Sequence, residues 1–139
     1  MAAKYFLDSS IFVASFDKQS PDKQAEARRL IGSALSGNGC TSWQAVQEFA
    51  NVAIRGFESS FNHDALREYM VVALLPLCAL MPDKSLYLEA VGVQQETRFS
   101  WLDSLILTSA IRLACSVLYS DILPNGQLVR GCRIVNPFS

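Results

Sequence analysis

Four acids in this chain stand in local patterns where a solvated surface role is not the obvious reading: Asp8, Glu48, Asp103 and Asp121. Asp8 ends the short apolar run Tyr5-Phe6-Leu7 and is followed by Ser9 and Ser10. Glu48 is followed at once by Phe49 and Ala50, and Asp103 lies between Trp101-Leu102 and Leu105-Ile106, where a free charge is costly. Asp121 follows Val117-Leu118-Tyr119-Ser120. Two carboxylates about 5 Å apart repel by roughly 3 kcal/mol at an effective dielectric of about 20. Three or four brought together at neutral pH need protonation or a cation. With oxygen donors only, the matching ion is a hard one, Mg2+ or Mn2+. Such an ion activates water and stabilises charge during phosphodiester displacement. The other reading of each acid is a helix cap or an exposed charge, and for Asp8 the cap and the catalytic role are both open.

Positioning these acids falls to alternating strands and helices. Residues 5–7 read as a buried strand, with Asp8-Ser9-Ser10 opening a helix through Ile11 and Phe12. Ser20-Pro21 opens a second helix with the stripe Ala27, Leu30, Ile31, Ala34 and Leu35, stopped by Gly37-Asn38-Gly39. Residues 40–42 read as a second strand, and the stripe Val46, Phe49, Ala50 and Ala53 as a helix that carries Glu48 and ends at Arg55-Gly56. Asn62 caps a further helix, ended by Pro76, with His63 a surface residue at its first turn. Residues 77–80, between Pro76 and Pro82, read as a third strand. Asp83 caps a helix through Leu86, Ala90 and Val93, and Asp103 falls in the first turns of the next, along Leu105, Ile106 and Ser109. Residues 117–119 make a fourth strand, Pro124-Asn125-Gly126 a turn, and residues 132–135 a last strand.

Strands separated by helices imply right-handed crossovers and a mainly parallel sheet with helices on both faces. In such a sheet, ligands bind beyond the carboxyl ends of the strands, which is where Asp8 and Asp121 would emerge together.

A chain of 139 residues suits a single domain over 1–139 with a sizeable core. Its composition, 50% hydrophobic and 18% charged, is that of a globular protein. No apolar run approaches the ~20 residues of a membrane span, and the start of the chain does not read as a secretory signal. The scattered Cys40, Cys78, Cys115 and Cys132 and the single His63 argue against zinc and for reduced thiols in a cytoplasmic protein. A formal net charge of −1 advertises no basic field for nucleic acid, although a metal can offset an acidic cluster.

Several of these segments resemble those of the PIN-domain family of small metal-dependent ribonucleases. Residues 5–13 (YFLDSSIFV) resemble the family's opening motif, residues 42–52 (SWQAVQEFANV) its glutamate segment at Glu48, and residues 100–106 (SWLDSLI) its second aspartate segment at Asp103. Residues 118–127 (LYSDILPNGQ) and 133–138 (RIVNPF) are similar to the VapC-type branch, the toxin halves of bacterial toxin–antitoxin pairs. The resemblance implies a three-layer α/β/α fold with a sheet of four to five strands. It also implies Mg2+- or Mn2+-dependent endonucleolytic cleavage of RNA, a homodimer and a cognate antitoxin that covers the site. Asp8, Glu48 and Asp103 would hold the metal, with Ser9 and Ser120 supporting the site by hydrogen bonds.

One position departs from the pattern. Family members often read Ser-Glu-Asp after the fourth strand, whereas this chain reads Ser120-Asp121-Ile122. Asp121 as a substitute ligand, a three-acid site and a weakened site are all compatible with that change. The competing reading is therefore a PIN-like module that binds RNA or a protein without cutting. Two other classes with an aspartate after the first strand fail on residue type. A haloacid-dehalogenase phosphatase needs Asp at position 10, which is Ser10, and a receiver domain needs a lysine beyond Lys84.

Overall fold

The computed structural model describes residues 5–56 and 61–139; residues 1–4 and 57–60, which the single-domain reading includes, lie outside the described residues. In chain order the elements are β1 (Tyr5–Leu7), α1 (Ser9–Ala14), α2 (Pro21–Ser33), β2 (Gly39–Cys40), α3 (Trp43–Arg55), α4 (His63–Tyr69), α5 (Leu75–Leu77), α6 (Lys84–Thr97), α7 (Trp101–Arg112), β3 (Val117–Tyr119), β4 (Leu128–Val129) and β5 (Cys132–Val135). The described strands form one five-stranded sheet in the order β2-β1-β3-β5-β4, parallel except for the β4–β5 pair.

Alternation along the strands sends successive side chains to opposite faces. Leu7 packs on one side with Ile11 and Phe12 of α1, Leu30 of α2 and Phe49 of α3. Phe6 packs on the other with Val93 of α6, Leu107 of α7, Leu118 and Ile134. The sheet is thus the middle of three layers, as the alternating pattern predicts. Among the described residues, no helix is long and apolar enough to cross a membrane.

Three sequence expectations change. Residues 77–80 do not form a ladder strand. Leu75–Leu77 is a helical turn that contains Pro76, and the following chain makes a single parallel bridge, Cys78 to Thr41, at the edge beside β2. Pro76 therefore sits within a helical segment instead of ending it, because a proline in the first turn needs no N–H partner. β4 was not foreseen: two residues paired antiparallel with β5 carry no readable period. The helix stop at residues 37–39 is as expected, with Gly37 at φ +106, and Gly39 lies so close to the Tyr5 ring that a Cβ would stand 2.5 Å from it. All four cysteines are free, with Cys40 and Cys115 buried in Sγ–Sγ contact at 3.6 Å.

Candidate active site

β1 and β3 are the two central neighbours of the sheet, in register with Leu7 beside Tyr119, so Asp8 and Ser120 leave the sheet side by side. Asp8 is 2% exposed. It does cap α1, accepting from Ser9 N–H at 2.8 Å, yet the cap uses one carboxylate oxygen. The other, Oδ2, accepts from Ser120 Oγ at 2.9 Å and from Ser10 Oγ at 3.1 Å. Ser120 Oγ in turn accepts from the N–H groups of Ile122 and Leu123, which fixes the turn after β3. Capping and site formation are here one geometry.

Glu48 reaches the same place from α3. The Ser9 hydroxyl donates to Glu48 Oε2 at 2.7 Å and lies 3.5 Å from Asp8 Oδ1, bridging the two acids. The Asp8 carboxyl is pushed up to about 6, first by its burial and further by the charge of Glu48, against the lowering hydrogen bonds of Ser120, Ser9 and Ser10. A buried acid whose neighbour is a second acid is a place where a cation relieves both causes of the shift.

Asp103 enters from the start of α7, where Ser100 caps the helix by accepting from Asp103 N–H at 3.2 Å. That helix end is tied to α3 by Gln44, whose Nε2 donates to the Leu102 carbonyl at 3.0 Å. Gln44 lies one helical turn before Glu48, on the same face of α3. The structure thus joins Asp8 to Glu48 through the Ser9 hydroxyl and places the half-buried Asp103 on an adjoining helix start. Asp121 is a different matter: its carboxylate pairs with Lys23 at 3.0 Å, and it is its backbone N–H that donates to Ser10 Oγ at 3.3 Å. Ile122, at the departed position, is 68% exposed.

The donors fit a hard divalent ion by type, being carboxylates and hydroxyls. Ser42 Oγ and Gln44 Oε1, at the start of the helix that carries Glu48, are buried without a hydrogen-bond partner among the described residues. Among the described residues, no three His, Cys, Asp or Glu side chains stand close enough together to hold a metal in this arrangement. Sequence reasoning missed Ser10, Thr41, Gln44 and Lys23. Thr41 Oγ1 donates to the Leu7 carbonyl at 2.6 Å and so braces the strand end that carries Asp8. Ser10 and Gln44 had a local signal, the position two after Asp8 and i, i+4 spacing to Glu48; Lys23 had none.

The family described as PIN domain matches residues 5–122, which include the acids Asp8, Glu48, Asp103 and Asp121. The chain belongs to the PIN-domain family. Among solved structures, this PIN domain is similar to a chain of a toxin–antitoxin complex from Klebsiella pneumoniae, with a TM-score of 0.67 at 17% identity over 96% of this chain and 97% of that one. It is also similar to FitAcB from Neisseria gonorrhoeae, with a TM-score of 0.64 at 14% identity over 96% and 98%. These likenesses extend the shared fold past residue 122 to nearly the full chain. No curated protein matches the sequence.

Proposed function

We propose that this PIN domain is a metal-dependent endoribonuclease, the toxin half of a toxin–antitoxin pair. The observation that carries the reading is the buried Asp8 carboxyl, bridged by the Ser9 hydroxyl to Glu48 at the carboxyl end of the central strands. Asp8, Glu48 and Asp103 would hold Mg2+ or Mn2+, which when bound supplies Lewis-acid activation of water and of the phosphodiester. The chain's own residues do the rest. Ser120 and Ser10 orient one Asp8 oxygen, Ser9 fixes Glu48 against the other, and Gln44 holds the start of α7 with Asp103 against α3. The toxin reading, with an antitoxin partner, is supported by likeness of fold to a chain of a toxin–antitoxin complex; a homodimer belongs to the same reading. Exposed apolar side chains on α6, Leu88 and Val91, are compatible with protein partners.

The second reading, a module that binds RNA or a protein without cutting, draws on the Lys23 pairing of Asp121 and on Ile122. Incubation of purified protein, free of antitoxin, with RNA and Mn2+ separates the two. Cleavage that falls at least a hundredfold in Asp103→Asn, with RNA binding retained, supports the enzyme. Intact RNA at every Mn2+ and Mg2+ concentration, with binding retained, replaces the enzyme by the module.

A smaller effect is expected at Ser9. Ser9→Ala removes the hydroxyl that aligns Glu48, and the loss of such a supporting hydrogen bond weakens metal affinity by about 10- to 100-fold. Titration of Mn2+ followed by electron paramagnetic resonance reads this directly, and unchanged affinity would remove Ser9 from the site.

A further inference from the structure

Asp121 is joined to Asp8 through its main chain. Its N–H donates to Ser10 Oγ at 3.3 Å, and that hydroxyl donates onward to Asp8 Oδ2 at 3.1 Å. The Asp121 side chain pairs instead with Lys23, Oδ2 to Nζ at 3.0 Å, and the same ammonium stands 5.2 Å from the centroid of the Phe138 ring. An ammonium at 3.0 Å offsets the carboxylate charge that would attract a metal and engages Oδ2. With side-chain exposures of 35% for Lys23 and 22% for Asp121, the pair adds little to stability. What it does is hold a cation in one place.

That place separates two surface hollows. One, of about 540 Å3, is lined by Ser9, Ser10, Val13 and Ile122, with two lysines, Lys18 and Lys23, against two acids, Asp17 and Asp121. The other, of about 450 Å3, runs from Ser20 and Pro21 past Lys23 to Phe138, with Asp22 and Glu26 on its wall. The first begins at the hydroxyls that contact Asp8. A mainly apolar hollow, a fixed cation and an aromatic ring in succession match a nucleobase, a phosphate and a second, stacked base. Single strands present these groups in that order, whereas a duplex keeps its bases paired and stacked inside.

We propose that Lys23, anchored by Asp121, is the phosphate contact of a single-stranded RNA lying from the hollow beside Ser9 and Ser10 to Phe138, and that Asp121 is not a metal ligand. The proposal rests on the ribonuclease reading and states where its substrate lies. It also gives the position after Asp121 a role: Ile122 is an exposed apolar wall of the first hollow.

The test uses a fluorescently labelled 12-nucleotide single-stranded RNA in EDTA, where cleavage is stopped, and reads binding by anisotropy across a salt series. Lys23→Gln is expected to weaken binding about three- to tenfold and to lower the slope of log affinity against log salt by about 0.7, the loss of one single-strand phosphate contact. Lys23→Arg keeps the slope. Asp121→Asn keeps Mn2+ affinity within about twofold, read by paramagnetic resonance, while Asp103→Asn lowers it at least tenfold. Wild-type slope and affinity in Lys23→Gln would overturn the RNA contact, and a tenfold loss of Mn2+ affinity in Asp121→Asn would overturn the anchor role. RNA binding by the wild type in EDTA, or its cleavage of the same RNA once Mn2+ is supplied, keeps either failure separate from failure of the ribonuclease reading. A wild type that binds neither RNA nor Mn2+ takes both down.

Discussion

Metal-free Asp8→Asn protein is expected to be more stable than wild type at pH 7 by about 2 kcal/mol, while losing Mn2+ binding and cleavage. The sign follows from the Asp8 carboxyl, raised from 3.8 to about 6 in the folded protein. Below pH 4 the acid is protonated whether the chain is folded or not, and its contribution is fully present. Between pH 4 and 6 the unfolded chain releases the proton and the folded one retains it, so stability falls as pH rises through that window. Above pH 6 the folded carboxyl ionises too, and the loss levels off at about 3 kcal/mol, two pKa units at about 1.4 kcal/mol each. Asparagine carries no such charge and still accepts from Ser9 N–H. Its amide nitrogen meets the Ser120 hydroxyl, which already accepts from two N–H groups, and that mismatch takes back part of the gain. Urea midpoints in EDTA at pH 4, 5, 6 and 7 check this through the difference between variant and wild type. The difference should grow with pH. Saturating Mn2+ should then reverse the order, because only the wild type gains by mass action on the folded state. A variant less stable than wild type at pH 7 in EDTA would show that the buried carboxylate is not under strain.

Local chemistry made half of this site readable. An apolar run ended by Asp-Ser-Ser states both the strand and the helix start, and the parallel-sheet rule then carried Asp8 next to the turn at Ser120, as the β1–β3 register has it. Glu48 and Asp103 were placed by their segments, Glu48 off the apolar stripe of α3 and Asp103 in the first turn of α7. What local pattern does not contain is pairing between remote polar side chains. Asp121 was foreseen at the correct edge of the sheet but without Lys23, since nothing around Ser20-Pro21 marks the next lysine as the partner of an acid after β3. The same limit explains the residues 77–80. An apolar run between prolines satisfies the pattern of a strand, yet β2 is only two residues long and offers Cys78 a single bridge through Thr41.

The largest loss of stability is expected at Phe49, the residue next to Glu48. Its side chain is fully buried between α1, α3 and α4, with ring centroids 5.0 Å from Tyr69, 5.7 Å from Phe16 and 6.2 Å from Phe61. Phe16 contacts Phe61 and Tyr69 in turn, each at 5.1 Å, so Phe49→Ala would open a void that the three remaining rings cannot close by one rotamer change. A buried Phe→Ala replacement costs about 3–5 kcal/mol, a large share of the roughly 5–15 kcal/mol that holds a domain folded. The neighbouring Val52, 37% exposed on the same helix, gives the control: Val52→Ala should cost under about 1 kcal/mol. Urea denaturation in EDTA measures both. Because α3 also carries Glu48 and Gln44, the Phe49 variant should bind Mn2+ more weakly in proportion to its unfolded fraction and recover when the ion is raised. A Phe49→Ala cost near that of Val52→Ala would mean that α3 is held chiefly by its polar ties at Ser9 and Leu102, and that the aromatic cluster is not what sets Glu48 against Asp8.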